Sequence, residues 1–204
     1  MKSSAAPKRR YRQSARAEAA EQTAQRILDA FKARIADDWY DQITLEQIAR
    51  EADVTVPTIL RRFGSKEKLM EEAFVGLSDE ILQRRAVTPG DSAGVARVIV
   101  DDYEAVGDLV MRALAQEERH PAIKAINDHG RRFHRSWVET AFAPQLKGLA
   151  PADRRHRLDA LVAATDLYVW KLVRRDMGRS AQHVRAVMLQ LIAGALGATE
   201  GDRK

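Results

Sequence analysis

The chain has no cysteine among its 204 residues. That excludes a disulfide framework, a thiolate metal site and a cysteine nucleophile. Proline (6) and glycine (11) are scarce, and aromatic residues make up only 6%. Few breakers and few aromatics, with abundant alanine and arginine, point to helix rather than to a β-rich chain. No run approaches the roughly 18 uninterrupted apolar residues of a membrane helix, so no membrane partner is expected. The first residues are basic, yet no apolar stretch follows them, and they do not form a secretory signal. A cytoplasmic location is the simplest expectation.

What the chain does have is length for one large domain or two small ones. Its hydrophobic content, 45%, is enough to build a core without staples. The net charge of +5 suits nucleic acid or an anionic surface, and equally suits plain solubility. Its distribution says more. Before Glu18 stand Lys2, Lys8, Arg9, Arg10, Arg12 and Arg16, with no acid among them. Residues 1–14 read as a basic disordered arm, which either tracks DNA or keeps the chain soluble.

Helix-period patterning covers most of the rest. Over residues 15–35, Ala24, Ile27, Leu28, Phe31 and Ile35 share a face. Thr44 opens a second helix as N-cap, with Gln47 completing a capping box. It stops near Ala52-Asp53, where Asp53 tolerates the left-handed backbone of a tight turn. Thr55 caps a short third helix with Pro57 in its first turn, and Ile59 and Phe63, four apart, share its buried face. Gly64 ends it, and Ser65 caps a fourth helix that the pattern carries to about residue 86. After the break at Thr88-Pro89-Gly90-Asp91, further helices are expected over residues 95–118, 122–142, 153–177 and 181–198. There is no period-2 strand, so the fold class is all-α with about nine helices.

The most informative stretch runs from Ile43 to Leu69. A capped helix, a short turn, a second capped helix and a third helix start have the spacing of a helix-turn-helix. The second of these helices is too short to be a packing element in its own right. Its outer face carries Thr58, Arg61 and Arg62, which suits insertion into a major groove.

Here the sequence resembles the tetracycline-repressor (TetR) family of transcriptional regulators. Ile48-Ala49-Arg50-Glu51-Ala52, Val54, Phe63 and Ser65-Lys66-Glu67-Lys68-Leu69 match the family pattern, and the likeness is close over residues 24–74. Farther on, Glu117-Glu118-Arg119-His120-Pro121 and residues 130–138 look similar to one subset of the family's regulatory domains. Three positions depart: Asp53 replaces the usual glycine, Leu60 the usual phosphate-touching tyrosine, and Arg62 a tyrosine or histidine. The resemblance implies a three-helix DNA-binding domain over 15–70 and a ligand-binding and dimerisation domain over 71–204. It implies a repressor that binds a double-stranded DNA operator as a homodimer through its last two helices, and is released by a small, largely apolar effector.

The DNA-contact set implied is Thr44, Thr55, Val56, Thr58, Leu60, Arg61, Arg62 and Lys66. Lys66 matches the family's phosphate-contacting lysine, and Thr44 the second-helix cap whose amide and hydroxyl reach phosphate. Arg61 and Arg62 read bases or phosphates, and Leu60 meets a thymine methyl or simply packs. In the middle helices, Tyr103, Phe133, Trp137, Asp166 and Trp170 are either ordinary core or the lining of an effector pocket. Asp166, if buried, needs a cationic or hydroxylated ligand or an arginine.

Other classes find little in the sequence. His129 and His134 are five apart, not at ligand spacing, so no metal site is expected. No phosphate loop or nucleophile elbow occurs, and Asp101-Asp102 does not converge as a catalytic pair needs. No cofactor and no enzyme activity are expected. A ligand-binding module without DNA function, favoured by Asp53 and Leu60, and a helical enzyme with a C-terminal pocket are the alternatives.

Overall fold

The computed structural model describes residues 6–75 and 77–197, and the side chains of residues 16–75, 77 and 79–197. Among them every regular element is helical, as the composition predicts. The chain divides into two compact units, Met1–Val75 and Gly76–Lys204.

In the first unit, α1 (Ala6–Asp37) packs against α2 (Leu45–Glu51) and α4 (Lys66–Ala73), and α3 (Val56–Phe63) packs against α2 and α4. α1 begins inside the segment read as an arm, whose first five residues lie outside those described. Its apolar face, with Ala24, Ile27, Phe31 and Ile35 buried, packs on α2 and α4, where Ile48, Leu69 and Met70 are buried as well. Arg34 bridges to Asp38 and Glu51. A 3-10 turn (Tyr40–Gln42) joins α1 to α2.

The local signals fall where the sequence puts them. Thr44 and Gln47 form a reciprocal capping box. Asp53 sits at φ +52 and Gly64 at φ +84, both in the left-handed region that ends a helix sharply. Ser65 accepts from the Lys68 amide. Thr55 caps α3 by position, but its side chain makes no capping bond.

The second unit contains α5 (Leu77–Arg84), α6 (Ser92–Leu114), α7 (Pro121–Ala141), a short α8 (Ala143–Leu146), α9 (Pro151–Ala164), α10 (Leu167–Lys171), a π turn (Leu172–Asp176) and α11 (Ala181–Gly197). α11 packs on α6 and α9, and α7 packs on the same two helices. Asp91 caps α6 by accepting from the Gly94 amide at 2.8 Å.

Two helices expected to be continuous are interrupted. The fourth stops at Ala73, and α5 starts at Leu77; the sequence there carries Gly76, a weak helix former. The 153–177 helix breaks at Thr165-Asp166. Asp166 turns to φ −72, ψ 150 and caps α10 through the Tyr168 amide. The Thr165 hydroxyl bonds back to the Leu161 carbonyl at 2.9 Å, and the Thr165 carbonyl accepts from Tyr103 Oη at 3.0 Å. The backbone groups released by the break are thereby satisfied.

Trp170, fully buried, lies against the backbone of Gly107. A Cβ there would stand 2.6 Å from two ring carbons, and an indole in a packed core cannot retreat. Gly107→Ala should therefore lower unfolding stability by about 1–3 kcal/mol, measured by chemical denaturation. An unchanged midpoint and slope would mean that Trp170 is not held there.

Candidate functional site

α3 is eight residues long, too short to hold its shape in isolation. Ile59 and Phe63 are 0% and 5% exposed and fix it to its neighbours. At about 100° per residue, Arg61 falls roughly opposite their midpoint, with Pro57 and Thr58 to either side. Pro57, Arg61 and Arg62 are exposed and Thr58 is half-buried. α3 carries no acid. Leu60 is 42% exposed and flanks this face, and Val56 is half-buried. Thr55 Oγ1 lies 3.0 Å from Thr58 Oγ1. The polar groups so presented are an arginine and two hydroxyls, a set able to meet base edges and phosphate oxygens.

Three of the expected contact residues have partners within the first unit. The Arg62 guanidinium meets Glu72 of α4 at 2.7 Å and lies 4.8 Å from the centre of the Phe63 ring. Thr44 spends its amide on Gln47 Oε1 at 2.8 Å and its oxygen on the Gln47 amide, leaving its hydroxyl hydrogen to donate. Lys66 is placed differently from the outward phosphate contact expected of it. Its ammonium bonds to the carbonyls of Tyr40 and Ile43 and sits 3.9 Å from the centre of the Tyr40 ring. Burial lowers its pKa. It ties the 3-10 turn to the start of α4, and a phosphate role requires it to swing out.

In the second unit the aromatic residues expected near a ligand are joined by a buried polar chain. Asp102 accepts from Arg84 Nε at 2.7 Å and Arg85 Nε at 2.8 Å, and its side chain is fully buried. Arg85 stacks over Tyr103 at 5.3 Å and Trp137 at 5.4 Å, and Trp137 Nε1 donates to the Arg85 carbonyl at 3.1 Å. The Thr165 hydroxyl hydrogen goes to Leu161, so its lone pairs accept from His134 Nε2–H at 3.2 Å. Nδ1 of His134 is then the acceptor facing Arg85, at 3.3 Å.

Trp170 packs at 6.1 Å, tilted, on Tyr103 and donates to Glu104 at 2.8 Å. Burial acts to raise the Glu104 pKa, but hydrogen bonds from Arg174 and Trp170 hold it below the ordinary value. Phe133 is half-buried on α7. Asp166 is half-buried, and its expected ligand or arginine is replaced by the Tyr168 amide at 2.8 Å. The structure thus joins Tyr103 to Trp137 through Arg85 and to Trp170 directly, while Asp166 serves the backbone. Sequence reasoning missed Glu72, Arg85 and the Asp102–His134 link. A carboxylate in the apolar stripe of Val95, Val98, Ile99 and Val106 was the available sign of a buried pair.

With both arrangements in view, residues 27–73 match the pattern of the bacterial regulatory proteins, tetR family. Over that segment the chain is similar to the tetR family. Such proteins are DNA-binding transcriptional regulators and not enzymes. The fold is similar to that of a transcriptional regulator from Rhodococcus sp. Rha1, with a TM-score of 0.66 at 16% identity, over 85% of this chain and 95% of that one. A regulator from Streptomyces coelicolor A3(2) gives 0.59 at 23%, over 87% and 99%. A HlyIIR mutant carrying a glycine-serine linker gives 0.51 at 19%, over 88% and 98%. No curated protein matches the chain. At these identities the tetR-family match rests on the first unit, and the solved structures extend the likeness in fold to most of the chain.

The His134 environment has a pH signature. Burial, and then the adjacent Arg85 charge, push its pKa from 6.5 down to about 4. The unfolded chain therefore binds this proton before the folded one does. The stability contribution is complete above pH 6.5 and is lost as pH falls from there to about 4, an effect of about 3 kcal/mol. Denaturant unfolding between pH 7 and 4 should show this loss, and His134→Gln should remove that part of the slope. An identical pH dependence in the variant would contradict the assignment.

Proposed function

We propose that the chain is a regulator of the tetR family: a homodimeric repressor that reads its operator with α3 and is released by a small, largely apolar effector bound in the second unit. The observation that carries the DNA-reading part is the face of α3 opposite Ile59 and Phe63. It bears Thr58 and Arg61, is flanked by Thr55 and Leu60, and contains no acid. Capped helix ends at Thr44 and Ser65 border it, and helix N-termini favour phosphate. Arg61 is the residue we assign to base edges. Thr44 is assigned to the backbone through its remaining hydroxyl hydrogen, and Lys66 joins it when it leaves the Tyr40 and Ile43 carbonyls.

Dimer formation is supported by apolar side chains that the single chain leaves in solvent. Tyr168 is 58% exposed, Met177 53% and Leu189 38%. On α11, Ala186, Leu189, Ala193 and Gly197 follow helical spacing along one exposed side, and a Cβ at Gly194 would meet nothing within 4 Å. Small residues there permit two helices to approach closely across a two-fold axis. The effector region is supported by Tyr103 and Trp137 around Arg85 and Trp170 against Tyr103, with Phe133 and Asp166 half-buried nearby in sequence. An effector acts as a releaser if it binds the DNA-free state more tightly, and DNA then weakens the effector by the same factor.

Selection of the full chain against a random duplex library tests this reading. The expected product is an inverted repeat with half-sites about 10–10.5 base pairs apart centre to centre, or about 34–36 Å. A single unrepeated half-site would contradict the dimer, and no enriched sequence would contradict operator reading.

A further inference from the structure

The two arginines of α3 are adjacent in sequence but differ in surroundings. Arg61 stands on the outermost line of the helix and has no ion pair among the described residues. Arg62, about 100° farther round, lies on the flank that faces α4. There its two terminal nitrogens meet the two carboxylate oxygens of Glu72, at 2.7 and 3.4 Å. The Phe63 ring supports the same guanidinium at 4.8 Å. Both partners are about 40% exposed, at 41% and 38%, so the pair adds little to stability. Its consequence is for charge. Arg62 and Glu72 together are neutral, and if Arg62 left for a phosphate it would strand a carboxylate beside the polyanionic backbone.

We propose that Glu72 withholds Arg62 from the DNA-contact set, so that Arg61 is the single arginine of α3 that reads the groove. This rests on the DNA-reading function proposed above. Glu72 is a positioning residue here, and it also limits sequence-independent affinity. A cation freed at this position would attract any duplex alike, whereas a neutral pair leaves discrimination to Arg61 and the hydroxyls beside it.

The test compares salt dependences on a random-sequence duplex, followed by anisotropy, for the full chain and two variants. Each phosphate neutralised changes the slope of log K against log[salt] by about 0.9. Glu72→Gln should steepen the slope by about one unit, because Arg62 then acts as a free cation. The double variant Arg62→Ala with Glu72→Gln removes a neutral pair and should keep the parent slope. It should also select the same sequence from a random library, while Arg61→Ala changes that sequence at one position. The assignment is overturned if Glu72→Gln leaves the slope unchanged and the double variant loses about one unit, since Arg62 then abandons Glu72 for phosphate. Thermal melts by circular dichroism verify that each variant is folded. If the parent chain binds no duplex, the DNA-reading function and this assignment fall together; the second slope pattern removes this assignment alone.

Discussion

Ile59 and Phe63 lie one helical turn apart on α3, and both are removed from water. Burying two side chains of this size is worth about 1.5–3 kcal/mol each, which is what keeps so short a helix folded against α2 and α4. The same packing fixes its rotation. With those two residues inward, Arg61 points outward, Leu60 and Arg62 take the flanks, and Arg62 is brought to Glu72. Rotation by one residue position that turned Thr58 and Arg62 inward would bury an arginine and expose an aromatic ring. The outer face is therefore a by-product of core packing, and residues on it can change without disturbing the helix. Asp53 is compatible with this view. It holds the left-handed turn at φ +52 where the family has glycine, and α2 before it keeps its capping box.

In the second unit the corresponding constraint is Asp102. A buried carboxylate is costly unless fully paired, and here two arginines from the end of α5 supply the pairing. The Arg85 carbonyl is bound in turn by Trp137, and its guanidinium faces His134. These bonds tie the end of α5 to α6 and α7. The break between α9 and α10 belongs to the same network, because Thr165 serves both His134 and Tyr103. Any rearrangement of these aromatics would have to preserve these bonds or replace them.

Local chemistry was legible in the sequence and distant chemistry was not. The capping box at Thr44-Gln47, the cap at Ser65, and the inward pair Ile59 and Phe63 depend on residues three or four apart. Composition and patterning read them directly. The break at Thr165-Asp166 depends on Tyr103, 62 residues away, so an apolar stripe running through it looked like one helix. Lys66 shows the same limit. Its place at the start of α4 follows from Ser65, but its turn toward carbonyls 23 and 26 residues earlier does not. Glu72 was invisible as a partner of Arg62 because the two belong to different helices. The aromatic residues Tyr103, Trp137 and Trp170 could be named, but their polar connections through Arg85 and Glu104 are tertiary.

The central claim, that the outer face of α3 enters DNA, has a direct test because the chain lacks cysteine. Pro57→Cys places one thiol on that face, to which a DNA-cleaving iron chelate can be attached; Leu189→Cys places one on α11 as a control. The account predicts strand cuts from position 57 in two clusters about one helical turn apart on bound duplex, with few from position 189. Cleavage from position 57 no stronger than that from position 189 would contradict it.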